Sequence, residues 1–365
     1  MIKSNNNNNK VCIVVSSLAG GGAERSSGLL SIMLYDAGFD VHVVSVLNNI
    51  DFPYKGELLN LGLLKDKDNS AFGRWNRLRV FKTYLKENKF DYVIDNRTRI
   101  GFAKELIISK FLYTPRQTIY CVRNFKVDLY INPKRFLSKF LYGNAYKMVG
   151  VSRGISERLI KEYGFNNTIV IHNPVDKRSN IIKETEDEFL KEYILFFGRL
   201  DDQHKNVSLL IEGYAGSSLP EKGVKLKVLG EGPDLEKLKL KAEDYGLSKH
   251  IQFLPYLVNP TEVITHALFT VLTSRYEGFP RSILESLSLG VPVVSVDCKS
   301  GPNEIIKNDV NGILVENHNP IKLADAIKRL YENKELYLNC KNNSKSSVVN
   351  FSEANIVQKW KAILN

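Results

Sequence analysis

The chain has 365 residues, 43% of them hydrophobic and 25% charged, the balance of a globular protein with length for two or three domains. Wholesale disorder is excluded, and 24 Gly and 12 Pro without a repeat exclude a collagen-like chain. The formal net charge of +11 is unevenly spread: residues 1–175 carry 26 Lys and Arg against 14 Asp and Glu, residues 176–365 carry 25 against 26. An excess confined to the first half points to an anionic partner there: nucleic acid, a membrane surface or a phosphorylated substrate. Cys12, Cys121, Cys298 and Cys340 stand far apart, which argues against a zinc module or a disulfide scaffold and for a reducing, cytoplasmic setting. Apolar runs such as Val11–Val15 and Leu289–Val296 fall far short of the ~20 residues that span a bilayer. The N-terminus, with its run Asn5–Asn9, reads as a loose tail and not as a secretory leader.

In chain order, Val11–Val15 reads as a buried strand, Gly20, Gly21 and Gly22 as a turn, the next residues to about Ala37 as a helix ended by Gly38, and Val41–Val46 as a second strand. Tyr92–Ile94, Thr118–Val122 and Met148–Val151 continue the alternation. The second half repeats it with strands at Tyr193–Phe197, Lys225–Leu229, Ile251–Leu254, Phe269–Leu272 and Val291–Val296. Apolar strands alternating with helices predict two α/β domains with parallel sheets. The seam is placed near Asn173–Asp176, giving 1–172 and 173–352, followed by a charged, strand-poor stretch through Glu192. A last helix, about 353–365, is expected to dock back on the first domain.

Three segments carry chemistry. Gly20–Gly22 joins a strand to a helix, where backbone N–H groups can meet an anion. Gly198-Arg199 through Lys205 follows a strand and offers a guanidinium and an ammonium to a diphosphate, while Asp201-Asp202 reads as solvated. In Ser274–Val294, Glu277 lies in a loop and Glu285 on a helix beginning near Pro280 or Arg281. Free N–H groups near Ser282–Leu284 suit a phosphate and the two carboxylates suit sugar hydroxyls.

This last stretch resembles the E-x7-E signature of the retaining, nucleotide-sugar-dependent glycosyltransferases of group 1, or family 4: Glu277-Gly278-Phe279, Leu284-Glu285, Gly290, Pro292-Val293-Val294, with Ser286 where the common form has alanine. The early Gly loop, Val151-Ser152, Ile171–Asp176, Gly198-Arg199 to Lys205, Leu229–Pro233 and Ser300–Ile306 follow in the family's order. The resemblance implies a GT-B fold, two Rossmann-like domains facing across a cleft, with acceptor on the first and nucleotide sugar on the second. By position, Arg199 and Lys205 would hold the diphosphate, Glu277 the donor sugar and Glu285 the ribose. Backbone at Gly278, Phe279, Pro280, Ser282, Ile283 and Leu284 would cradle sugar and phosphate. Leu254 to Tyr256 would meet the base, and Gly20–Gly22 would close on the diphosphate. Where many members carry a first-domain histidine, this chain has Tyr120-Cys121-Val122-Arg123-Asn124. Arg123 and Asn124 are therefore expected near the reaction, as in a subset of relatives of surface-polysaccharide assembly that Asp95–Thr98 also resembles.

The implied reaction is retaining transfer of a hexose or N-acetylhexosamine from a nucleotide sugar, UDP-linked by preference, to a glycan or polyprenyl-diphosphate-linked acceptor, with neither metal nor other cofactor. Capsule, lipopolysaccharide and glycoprotein glycan are the products in view. Two segments mixing cations with aromatics, Arg74–Lys86 and Lys134–Tyr142, suit docking on the anionic inner face of the cell membrane. A nucleotide-sugar epimerase would lack the E-x7-E arrangement. A nucleic-acid protein would leave the two glutamates unexplained, and a dinucleotide oxidoreductase would need a G-x-G-x-x-G that neither domain has.

Overall fold

The structure is a computed structural model in which residues 9–176 and 192–365 are described. Residues 5–8 of the Asn run and nearly all of the charged stretch after Asp176 lie outside them. The chain divides into two compact units, Met1–Pro174 with Glu353–Asn365, and Val175–Ser352.

The first unit alternates β1 (Lys10–Val15), α1 (Gly22–Asp36), β2 (Asp40–Ser45), β3 (Glu57–Asn60), α2 (Leu61–Lys67), α3 (Ala71–Asn88), β4 (Tyr92–Asp95), α4 (Phe102–Ile107), β5 (Thr118–Val122), α5 (Arg135–Tyr142), β6 (Lys147–Gly150), α6 (Arg153–Lys161) and β7 (Thr168–Val170). A π-turn, Ile108–Leu112, directly follows α4. The strands form one parallel sheet in the order β3-β2-β1-β4-β5-β6-β7. A helix carries the chain back between successive strands everywhere except from β2 to β3, where the helix-free stretch 46–56 makes the crossover. The Val11–Val15 side chains are fully buried between helical layers, so an uninterrupted apolar run is what this strand requires.

The second unit comprises β8 (Tyr193–Phe197), α7 (Asp202–Lys205), α8 (Val207–Gly216), β9 (Lys225–Leu229), α9 (Leu235–Asp244), β10 (Ile251–Leu254), α10 (Thr261–Thr265), β11 (Thr270–Leu272), α11 (Arg281–Ser288), β12 (Val293–Val296), α12 (Pro302–Ile305), β13 (Gly312–Val315), α13 (Pro320–Glu332) and α14 (Lys334–Ser347). Its parallel sheet runs β10-β9-β8-β11-β12-β13. The final helix, α15 (Glu353–Leu364), belongs to the first unit. There Ile356, Trp360, Ile363 and Leu364 share a core with Leu30, Leu34, Ile94 and Ile119.

Each sheet has one point where strand order reverses, between β1 and β4 in the first unit and between β8 and β11 in the second. In open α/β sheets the crevice beyond the carboxyl ends of such strands receives ligands. The loops leaving these strands are therefore where function is to be sought: Ser16–Gly21 and Asn96–Gly101 in one unit, Gly198–Asp201 and Thr273–Pro280 in the other.

Candidate active site

In the second unit, β8 is followed by Gly198, whose backbone carbonyl lies 2.0 Å from where a Cβ on Gly230 would stand. Only glycine fits at 230, so the loops after β8 and β9 pack backbone against backbone. The β8 loop then enters α7, which Asp202 anchors. Its carboxylate is buried and accepts from Ser208 N at 2.8 Å, Ser208 Oγ at 2.7 Å and Lys237 Nζ at 3.0 Å. The expectation of a solvated Asp201-Asp202 pair fails at Asp202. Burial raises its pKa, but the Ser208 and Lys237 bonds outweigh it and leave the carboxyl lowered.

Asn206 ends α7 in the left-handed conformation (φ 51°), and its side chain accepts from Arg275 Nη2 at 2.8 Å. Thr273 Oγ1 donates to the Lys205 carbonyl at 3.1 Å, and Arg275 N donates to the His204 carbonyl at 2.8 Å. These bonds tie α7 to the loop after β11 and aim Lys205 at Glu277.

Glu277 is the centre of this arrangement. Its carboxylate is buried, and Oε1 accepts from Lys205 Nζ at 2.6 Å and Ser274 Oγ at 2.7 Å. His204 Nε2 stands 4.0 Å from the same oxygen, donates to the Tyr276 carbonyl at 2.9 Å, and its ring stacks on Tyr276 at 4.6 Å. Burial alone would raise the Glu277 pKa; Lys205, His204 and Ser274 together hold it below the ordinary carboxylate value. Burial also lowers the His204 pKa, against the pull of Glu277. A Glu277 carboxylate and a Lys205 ammonium thus face each other, and the cation spends one of its three N–H donors on the pair.

Next comes the start of α11. Pro280 is the N-cap and not the first helical residue, and no side chain caps the helix. Gly278, Phe279 and Pro280 are buried. The Gly278 carbonyl accepts from Ser300 Oγ at 3.0 Å, and the Phe279 ring packs on Phe351 at 5.0 Å. Ile283 and Leu284 are core side chains while Ser282 is half-exposed; the free N–H expected at Leu284 is not there, because it donates to the Pro280 carbonyl at 3.4 Å as the first bond of the helix. Glu285, one turn along, accepts from Arg281 Nη2 at 2.9 Å, and Arg281 also lies 3.9 Å from Asp176. Leu254 closes β10, and Tyr256 beyond it is exposed, its N–H reaching Glu231 Oε1 at 3.4 Å. Arg199 is exposed, with no ion-pair partner among the described residues. Among the described residues, no three His, Cys, Asp or Glu side chains are grouped to hold a metal.

The first unit gathers a second cluster at its own switch point. Arg123, just past β5, donates from Nε to Asn96 Oδ1 at 3.1 Å and from Nη1 to Asn173 Oδ1 at 3.0 Å. Asn124, the next residue, accepts from Lys126 N at 2.8 Å and so holds a turn. Gly20 has φ 87°, and Gly21 is the N-cap of α1. Glu24, in the first turn of that helix, folds back so that Oε2 lies 2.6 Å from where a Gly21 Cβ would stand. Burial raises the Glu24 pKa, opposed by its own backbone N–H and by Arg123. The glycine turn is thus already faced by a carboxyl group.

Beneath Asn96 the charges are fully buried. Arg97 Nη2 donates to Asp95 Oδ2 at 2.6 Å and reaches Glu105 Oε2 at 3.4 Å. Arg99 donates to the Tyr130, Asp95, Arg97 and Cys121 carbonyls at 2.8–3.2 Å. Its guanidinium is packed by the rings of Tyr120, Tyr130 and Tyr142. Asp95 and these arginines form a frame that fixes the loop carrying Asn96.

The structure thus joins Lys205 with Glu277, and Glu285 with the start of α11. It adds Ser274, His204, Arg281, Glu24, Asn96 and Asn173, to which the sequence reading gave no role. Ser274 and His204 have a local signal, each lying within three positions of the glutamate or lysine it supports. The partners of Arg123, 27 and 50 positions away, have none.

Residues 176–347 match the family described as glycosyl transferases group 1. The chain is 25% identical to the amylovoran biosynthesis glycosyltransferase AmsD of Erwinia amylovora over 94% of this chain and 95% of that one. It is 29% identical to the N-acetylgalactosamine-N,N'-diacetylbacillosaminyl-diphospho-undecaprenol 4-alpha-N-acetylgalactosaminyltransferase of Campylobacter jejuni, over 74% of this chain and 72% of that one. Its fold is similar to that of S. aureus TarM, crystallised with fondaparinux, alpha-GlcNAc-glycerol and UDP, at TM-score 0.78 and 16% identity over 98% of this chain and 100% of that one. Two parallel Rossmann-like sheets, the E-x7-E stretch on the second and the family match across that unit make this chain a glycosyltransferase of GT-B fold whose residues 176–347 match the group 1 family.

Proposed function

We propose that this enzyme transfers a hexose or N-acetylhexosamine from a UDP-sugar, with retention, to a glycan or polyprenyl-diphosphate-linked acceptor in the assembly of a bacterial surface polysaccharide or glycan. The observation that carries the reading is the Lys205–Glu277 pair at the β8–β11 switch point, beside the uncapped start of α11. Departure of a nucleoside diphosphate builds negative charge on its phosphate oxygens. Lys205 and the backbone N–H groups from Arg281 to Ile283 are donors for that charge in place before the reaction starts, and Arg199 is free to join them. Glu277 orients Lys205 and presents its second carboxylate oxygen to the sugar; Glu285 serves the ribose, and the Leu254–Tyr256 backbone serves the base. With charge stabilised by side chains and a helix terminus, no metal is required, and front-face attack lets the leaving diphosphate accept the proton of the acceptor hydroxyl. On the first unit, Arg123, Asn124 and the Gly20–Gly22 turn are assigned to the acceptor and the leaving group. AmsD and the Campylobacter enzyme support the polysaccharide and lipid-linked readings by their names, and UDP in the TarM crystal supports the donor.

The test is a panel of UDP-Gal, UDP-GalNAc, UDP-Glc, UDP-GlcNAc and GDP-mannose, read by thermal shift and slow donor hydrolysis. One UDP-sugar is expected to stabilise the wild type and be hydrolysed, with both signals lost in Lys205→Ala. Stabilisation by GDP-mannose alone, or an unchanged shift in Lys205→Ala, overturns the reading.

A further inference from the structure

Among the described residues, no helix is long and apolar enough to cross a membrane. The first unit nevertheless exposes large apolar side chains together. Phe111 is 63% exposed, Phe136 68% and Phe140 56%, with Ile107 beside them in sequence on α4. Scattered single apolar residues on a surface are ordinary, but a contiguous set calls for a partner. These are contiguous because α5 packs against the π-turn, and Lys110 of that turn lies 4.7 Å over the Phe140 ring. The π-turn produces the grouping: its wider step turns the chain so that Ile108 and Ser109 are buried while Phe111 faces out. On α5, Ser138, Leu141 and Tyr142 face in while Phe136 and Phe140, one turn apart, face out.

The π-turn also touches α3, of whose 18 residues only Gly73 and Phe81 are buried. At the start of α3 the exposed Phe72 and Trp75 rings lie 5.9 Å apart, and Arg79 stands 5.7 Å from Trp75. The two segments singled out in the sequence are thus neighbours of one π-turn that the sequence did not mark. Charge is one-sided here. Residues 102–147 hold nine Lys and Arg against two acids, Glu105 and Asp128. Glu105 is buried on Arg97 and unavailable to neutralise the surface.

We propose that α3, the π-turn and α5 form a docking surface for an anionic phospholipid bilayer, with Phe111, Phe136 and Phe140 entering the headgroup boundary and Lys110, Arg135 and Lys139 meeting lipid phosphates. Aromatic rings among cations, with Glu87 the one acid on these three elements, are the composition that binds such an interface, and neither the rings nor the cations suffice alone. An anionic partner in solution would have no use for three outward phenylalanines. The docking is independent of the donor site and is measured without nucleotide sugar, so its failure leaves the transfer reaction untouched.

The test is sedimentation of the full chain with vesicles of phosphatidylcholine, with and without about one-third phosphatidylglycerol, at low and high salt. Binding is expected only with the anionic lipid, weakening as salt rises. Phe111→Ser, Phe136→Ser and Phe140→Ser together should abolish it. Lys110→Gln, Arg135→Gln and Lys139→Gln should weaken it about fivefold per cation removed and flatten the salt dependence. All variants should keep the wild-type melting temperature and donor hydrolysis. Equal binding to neutral vesicles, unaltered binding by the phenylalanine variant, or retention on an immobilised anionic polysaccharide without vesicle binding would each overturn the proposal, the last in favour of a polymeric acceptor.

Discussion

In the first unit Asp95, Arg97, Arg99 and Glu105 stand at the carboxyl edge of a parallel sheet; in the second, Lys205, Glu277 and His204 stand at the equivalent edge. The first group is closed. All four residues are buried, two positive charges face two negative ones, and the Arg99 donors end on carbonyl oxygens. The second group is open on one side. Glu277 is buried, but Lys205 retains 18% side-chain exposure and spends one N–H on its partner. Charges of the same kind thus serve as a frame where every donor is used and as a binding device where some are left. The pKa directions agree: Arg97 and Arg99 pull the Asp95 carboxyl down against burial, leaving nothing there for a ligand to change.

Removing one charge from each group separates the two roles. Asp95→Asn should cost about 3–5 kcal/mol of stability, because two arginines are left buried with only Glu105 opposite them; urea denaturation reads it directly. Lys205→Ala should lower kcat/KM by about 10²–10³-fold, as loss of a charge-stabilising donor does elsewhere, with a smaller change in urea midpoint than Asp95→Asn. A reversal of these two outcomes would exchange frame and site. Ser274→Ala removes one bond to Glu277 and should cost about 1 kcal/mol in transition-state binding, roughly fivefold in kcat/KM, read by steady-state kinetics.

Acid sharpens the comparison further. The folded-state pKa of Glu277 is depressed. Its pair with Lys205 therefore contributes stability that is full above the usual carboxylate range and is lost as pH falls through the depressed value. The stability gap between wild type and Glu277→Gln should stay constant from pH 7 to about 5 and narrow on further acidification. A gap that widens in acid would mean that Glu277 is protonated in the native state. A smaller effect than loss of a buried charge is expected where α7 ends. Asn206→Ala should cost about 1 kcal/mol for a left-handed residue, with Asn206→Gly recovering the backbone part but not the bond from Arg275; melting temperatures check both.

Central strands were legible from sequence because a strand buried on both faces must be apolar throughout. Tyr193–Phe197, Lys225–Leu229 and Thr118–Val122 coincide with their predicted bounds, as does Ile251–Leu254 at one edge of the second sheet. The strands missed, β3, β7 and β13, all lie at sheet edges. An edge strand is paired on one side only, and the half-exposed Glu57–Asn60 and Thr168–Val170 show no continuous apolar run. Within the site, Glu277, Lys205 and Glu285 could be found because their spacing is a local property of two loops and one helix. The closed frame could not. Nothing in Asp95-Asn96-Arg97 announces that the arginine folds back on the aspartate two positions earlier, or that Arg99 enters a tyrosine cage. The same folding back buries two arginines with two acids, so the net positive charge of the first half stays on its surface.

The position of α15 has a consequence for the order of events during synthesis. Ile356, Trp360, Ile363 and Leu364 complete the first unit's core, yet residues 175–352 must be translated before they exist. At about 5–20 residues per second the ribosome leaves that core unfinished for on the order of tens of seconds, with Leu30, Leu34 and the face of β1 waiting for their last cover. Slowing translation within the second unit should therefore lower the soluble yield of the protein.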